Sequence, residues 1–135
     1  DDPATDARIG LAGPVWGLGA GIAAYAVYRI TGIPLWGAIA QLTGFINLFN
    51  LIPIWQLDGA RGFHALSRSQ RWVVVGALGL AFLVTSEGLL LLIGAVAVYR
   101  ALQPSVVTEP NAPALATFLI LIGALSWLAK IPAVT

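Results

Sequence analysis

From Ile9 to Tyr28 the chain carries no charged side chain, and Arg8 and Arg29 bound the run. About 20 apolar residues in a helix span the hydrocarbon core of a bilayer. The run is rich in small residues (Gly13, Gly17, Gly19, Gly21, Ala20, Ala23 and Ala24), which allow the close helix approach that membrane helices use. Tyr25 and Tyr28 precede Arg29, an order expected at a membrane–water boundary. A strand reading is unattractive, because the run is too long and lacks period-2 alternation.

Similar stretches follow. Thr31-Gly32-Ile33-Pro34 reads as a turn. A second apolar stretch runs from Leu35 to about Trp55 and carries Gln41, Asn47 and Asn50. A third runs from Trp72 to Tyr99 but is polar in the middle, at Thr85-Ser86-Glu87-Gly88. A single helix of that length would reach about 42 Å, longer than the hydrocarbon core. Two helices turning at Ser86 to Gly88 are therefore expected. The proline-rich segment from Pro104 to Pro113 reads as a loop, and a last stretch covers Ala114 to Leu128, with Lys130 placed to snorkel. Trp16, Trp36, Trp55, Trp72 and Trp127 are spaced like interface anchors.

Composition agrees. The chain is 59% hydrophobic and 10% charged, against about 45–50% and about 25% in soluble domains. Mean hydropathy is +0.87. The reading is an all-α, polytopic membrane protein with four or five transmembrane or membrane-embedded helices. The lipid bilayer is its solvent and its localisation is integral and multi-pass. Arg61, Arg68 and Arg71 make the connection between Arg61 and Arg71 cytoplasmic by the positive-inside rule. A net charge of +1 gives no nucleic-acid footprint, and the absence of cysteine excludes disulfides and thiolate metal sites. The opening Asp1-Asp2-Pro3 is neither a start nor a signal peptide, so the chain reads as a piece of a longer protein.

The chemistry concentrates in Asn47-Leu48-Phe49-Asn50-Leu51-Ile52-Pro53-Ile54-Trp55-Gln56-Leu57-Asp58-Gly59. A carboxylate at a membrane-helix centre costs about 2.5–3.5 kcal/mol on insertion scales, so it is retained with a cation, a water-filled cavity or a metal. Pro53 lacks an N–H and crowds the carbonyl of Phe49, which ends or kinks the helix. Backbone groups freed in this way are tolerated at depth only inside protein or beside a cavity. The expectation is a broken helix that sets Asp58 over a cavity. The plainer alternative makes Asp58-Gly59 a helix stop at the membrane surface, with Arg61 neutralising Asp58.

Asn50-x-x-Pro53-x-x-x-Leu57-Asp58-Gly59 resembles the NxxPxxxLDG signature of the site-2 protease family of intramembrane zinc metalloproteases. Ala12-Gly13-Pro14 resembles the family's AGP element, which opens the preceding transmembrane helix. The resemblance covers roughly residues 6–72. It implies a protease core half at 1–71, with the AGP and NxxPxxxLDG helices, followed by C-terminal transmembrane helices at 72–135. It implies that Asp58 is a zinc ligand and that Asn50 orients the scissile carbonyl. The Zn2+ would be completed by two histidines of an HExxH segment, four apart on one helix face. The substrate would be a transmembrane or membrane-proximal peptide.

This chain has no HExxH. Its one histidine, His64, lies six residues after Asp58, about 600° of helix and so on another face. The missing pair, carried by preceding N-terminal helices, is therefore a partner the reading requires. The alternatives are a catalytically inactive membrane assembly module of the same fold, or a small ion or proton transporter fragment using Asp58 and Glu87 as relays.

Overall fold

Each break in the helical pattern has a local cause. In the computed structural model, which describes residues 3–53, 57–105 and 107–131, six α-helices make up the regular structure. They are α1 (Pro3–Thr31), α2 (Pro34–Phe49), α3 (Asp58–His64), α4 (Arg68–Thr85), α5 (Leu89–Ala101) and α6 (Ala112–Ala129). No strand occurs among the described residues. The α1–α2 turn closes on Gly32, whose φ of 70° favours glycine, and Gly32 N–H donates to the Tyr28 carbonyl at 2.7 Å. Pro34 then opens α2, where its missing N–H costs nothing.

The α2 helix stops at Phe49, four residues before Pro53, the carbonyl that the proline ring would crowd. Ile54, Trp55 and Gln56, the end of the expected second stretch, lie outside the described residues. The turn expected at Ser86 to Gly88 is present. Ser86 takes a left-handed φ of 57° and caps α4, and the Glu87 carboxylate accepts the Leu89 N–H at 2.9 Å at the start of α5. Ser67 and Gln70 form a capping box that starts α4, and the Asn111 side chain accepts the Ala114 N–H to start α6.

Two expectations are corrected. The AGP element does not open its helix. Pro14 sits inside α1, which begins at Pro3. Trp16 accordingly lies midway along α1 and not at an end, whereas Trp36, Trp72 and Trp127 sit near helix termini. As for the membrane, α1 with 29 residues and α6 with 18 are the described helices long and apolar enough to cross it. The α5 helix has 13 residues, about 20 Å, which falls short of the hydrocarbon core on its own.

The helices pack so that α6 touches α1, α2 and α4, with α1 lying along α2 and α3, and α4 along α5. The core contains Leu48, Leu51, Phe63, Leu78, Ile93 and Leu121, all fully enclosed. Phe63 and Phe118 meet edge to face at 6.1 Å. Large apolar side chains also lie on the outside: Ile30 is 84% exposed and Trp16 and Leu83 are each 78% exposed. A surface of this kind meets water poorly.

The starts of α1, α4 and α6, the ends of α2 and α5, and α3 share one end of the bundle. The links are Arg61–Asp6, Arg100 to Pro53, and Asn111 N–H to the Gln70 side chain at 3.0 Å. Arg8, Arg61, Arg68, Arg71 and Arg100 are at that end, and Arg29 and Lys130 are at the other.

Candidate functional site

Asp58 is the first residue of α3, where the helix N-terminus favours a negative charge. The segment leading to it is closed by backbone. Gly59 N–H donates to the Asn50 carbonyl at 2.7 Å, tying the start of α3 to the end of α2. A Cβ at Gly59 would overlap the Leu51 carbonyl, so only glycine permits this approach. The Leu51 and Ile52 amides donate back to Leu48 and Phe49, so these groups are also satisfied.

A stripe of glycines on α1 faces the polar residues of α2 and α3. A Cβ at Gly13 would lie 3.2 Å from Asp58 Oδ2. One turn earlier, a Cβ at Gly10 would lie 2.8 Å from Arg61 Cδ. One turn later, a Cβ at Gly17 would overlap the Asn47 amide, whose Nδ2 donates to the Thr43 carbonyl at 2.9 Å. At Gly21 the space is taken by Leu128 of α6. These residues recur every three or four positions and so share one helix face. The Gly13 of the AGP element and the Asp58 of the LDG element, remote in sequence, are thus neighbours.

Asp58 is half-buried. Among the described residues no hydrogen bond reaches its carboxylate and no cation lies within 4 Å of it. Burial raises its pKa above the ordinary carboxylate value, and the positive charge of Arg61 partly opposes this. The close pairing of Arg61 with Asp58 in the plainer alternative does not form: Arg61 Nε lies 3.8 Å from Asp6 Oδ1, across to α1, and its charge acts on Asp58 from further away. Asn50, at the end of α2, is half-buried, and its side-chain amide makes no hydrogen bond among the described residues. His64 is the last residue of α3, at the opposite end of that helix from Asp58.

Two grooves lie between α1 and the approach to α6. A groove of about 430 Å³ runs between the first half of α1 and the start of α6, past Arg8, Leu11, Trp16, Asn111 and Thr117. A second, of about 420 Å³, lies beside it at Pro3, Ala65 and Pro110. Neither is lined by Asp58 or Asn50. The carboxylate instead stands on the seam between α1 and α3.

As a donor set, the site offers one carboxylate with unengaged oxygens on a backbone-fixed helix start. That suits one ligand position of a zinc ion. No group of three or more His, Asp or Glu residues able to hold a metal occurs among the described residues. Two further protein ligands would have to come from elsewhere.

The sequence marked Arg68 and Arg71 as part of a basic connection but did not reveal which groups the arginines around this segment bind. Arg71 is buried, lies 5.1 Å over the Phe63 ring and donates through Nε to the Phe63 carbonyl at 3.2 Å. Arg68 donates to the carbonyls of Ala101 and Leu102, each at 3.3 Å, at the end of α5. Arg100 Nη1 donates to the Pro53 carbonyl at 3.0 Å. An excess of arginine beside helix ends was the available signal, since helix C-termini leave carbonyls unpaired. Compared with models of protein families, with curated proteins and with solved structures, the chain matches none.

Proposed function

We propose that this chain forms the carboxylate-bearing half of an intramembrane zinc metalloprotease of the site-2 protease kind. The observation that carries the reading is the contact between Gly13 and Asp58. It joins the two motif elements and leaves the carboxylate free of hydrogen bonds and close cations among the described residues. A carboxylate that keeps its oxygens unengaged on a backbone-fixed helix start is available as a ligand.

In this reading Asp58 supplies one oxygen ligand, and two histidines of an HExxH segment outside this chain supply the others. Zinc held there would polarise the scissile carbonyl and lower the pKa of a bound water. Asn50 carries an unengaged amide one helix break away and orients the peptide carbonyl. Gly59 and Pro53 hold the segment in place. The substrate is a transmembrane or membrane-proximal peptide that unwinds to enter.

The same proposal gives the topology. Helices α1 and α6 traverse the bilayer, the shorter or less apolar α2, α4 and α5 cross beside them where the bilayer thins to match, and α3 lies at the arginine-bearing end. Five of the seven basic residues are at that end, which supports a cytoplasmic side for it by the positive-inside rule.

The decisive experiment is a zinc titration of the full-length protein beside its Asp58→Ala variant. Loss of tight binding in the variant supports the assignment, and equal affinity overturns it.

A further inference from the structure

Ala4, Ala7, Arg8, Leu11, Val15 and Trp16 recur every three or four positions along α1, and together they form its side of the 430 Å³ groove against the start of α6. From Ala4 to Trp16 the helix rises about 18 Å. The groove therefore leads from the arginine-bearing end toward the middle of α1, with Trp16 as its deepest α1 residue. Its size falls within the roughly 300–1,000 Å³ of small-molecule sites. Its lining is apolar apart from Arg8, Asn111 and Thr117, which is the usual balance in such sites.

The end near the bundle surface has donors to spare. Arg8 is exposed and makes no hydrogen bond or ion pair among the described residues. Asp6, two residues away and so on another face of α1, pairs instead with Arg61. Asn111 uses its side-chain oxygen to accept the Ala114 N–H at 3.1 Å, and its amide nitrogen has no partner among the described residues. A guanidinium without a counter-ion favours a phosphate, which it can hold through two parallel N–H groups. An apolar trough leading away from that guanidinium favours a ligand with an apolar tail.

The groove opens between α1 and α6, the two described helices long and apolar enough to cross a bilayer. A further helix is about 10–12 Å across, several times the groove's volume over that length, so it would lie over the groove and not in it. An acyl chain is narrow enough to enter. Trp16, 78% exposed and too far along α1 for an interface anchor, then lines the path of that chain.

We propose that this groove holds one anionic phospholipid, with its phosphate on Arg8 and Asn111 and an acyl chain along Leu11 and Val15 to Trp16. The proposal rests on the membrane placement of α1 and α6 given above and is independent of zinc.

The test reconstitutes the full-length protein into phosphatidylcholine vesicles that contain an equal fraction of either brominated phosphatidylglycerol or brominated phosphatidylcholine. Bromine on the acyl chain quenches nearby tryptophan, and the difference between wild type and Trp16→Phe isolates the Trp16 signal. Phosphatidylglycerol is expected to associate at Trp16 about fivefold more strongly than phosphatidylcholine, the contribution of one arginine at an anionic lipid surface. Arg8→Gln should abolish that preference. Thr117→Phe keeps the charge but fills the groove, and should abolish it too; Ala12→Leu serves if Thr117→Phe does not fold. Equal quenching of Trp16 by the two lipids in the wild type overturns the proposal, as does a preference that survives Arg8→Gln. A preference lost in Arg8→Gln but kept in the filled groove means attraction to surface charge only, and also overturns it. Trp16 shielded from both lipids while other tryptophans are quenched means that protein covers the groove, and overturns the lipid assignment alone. If no tryptophan is quenched by either lipid, the membrane reading falls and the proposal falls with it.

Discussion

Gly13 and Asp58 face each other across the α1–α3 seam, so closely that a methyl group on Gly13 would lie 3.2 Å from the carboxylate oxygen. The residue that seats the carboxylate is thus one that has no side chain at all.

Gly13→Ala therefore presses on Asp58 more than on the fold, because the carboxylate can swing away toward its exposed side. We expect less than about 1–3 kcal/mol of destabilisation, the usual cost of overpacking, together with weakened zinc binding in the full-length protein. Unfolding in detergent and a zinc titration, run on the same preparation, check both. Unchanged zinc affinity would argue against the shared seat.

Gly59→Ala meets a harder obstacle. Its methyl would overlap the Leu51 carbonyl, which is backbone and is held by neighbouring hydrogen bonds. The expected loss is about 3 kcal/mol or more, at the upper end for overpacking. A near-wild-type unfolding midpoint would show that the Asn50–Gly59 closure is looser than described.

The pH dependence of Asp58 has a definite sign. Its folded pKa is raised by burial, with Arg61 partly opposing. Its favourable contribution to the metal-free fold is therefore complete below the ordinary carboxylate pKa, and it fades as pH rises through the shifted value. In the presence of chelator, Asp58→Asn should match the wild type at acid pH and exceed it in stability at neutral pH. A stability difference that stays constant across the titration would sink this assignment.

Phe63→Ala removes a fully buried ring that packs on Phe118 and lies under Arg71. We expect a loss of about 3–5 kcal/mol, the range for truncating a buried aromatic. Equilibrium unfolding measures it.

The topology is open to labelling, because the chain has no cysteine. Ser69→Cys and Thr108→Cys are exposed positions at the arginine-bearing end, and Ser86→Cys is exposed at the other. An impermeant maleimide should reach the first two from the cytoplasmic side and the third from the opposite side. Labelling of all three from one face would refute the traversal by α4 and α5.

Much of this was legible before any coordinates. Pro53, Gly32 and the polar Thr85-to-Gly88 step act within one or two helical turns, so the ends of α1, α2 and α4 follow from local sterics. The candidate site residues Asn50 and Asp58 were also legible, because a carboxylate and amides in an apolar run need a reason to be there. The placement of Pro14 was misjudged, since a proline is a local signal and α1 tolerates it within a longer helix.

By itself, the amino-acid order determined an all-helical chain, where its helices break, and which acid is out of place, because helix propensity, proline geometry and hydropathy are properties of neighbouring residues. Only the folded packing decided that Asp58 meets Gly13, that Arg61 turns to Asp6, and that Arg100 serves Pro53. Those pairings join residues far apart along the chain. Which donor reaches which unpaired carbonyl, and which glycine leaves room for which side chain, depends on how the helices stack.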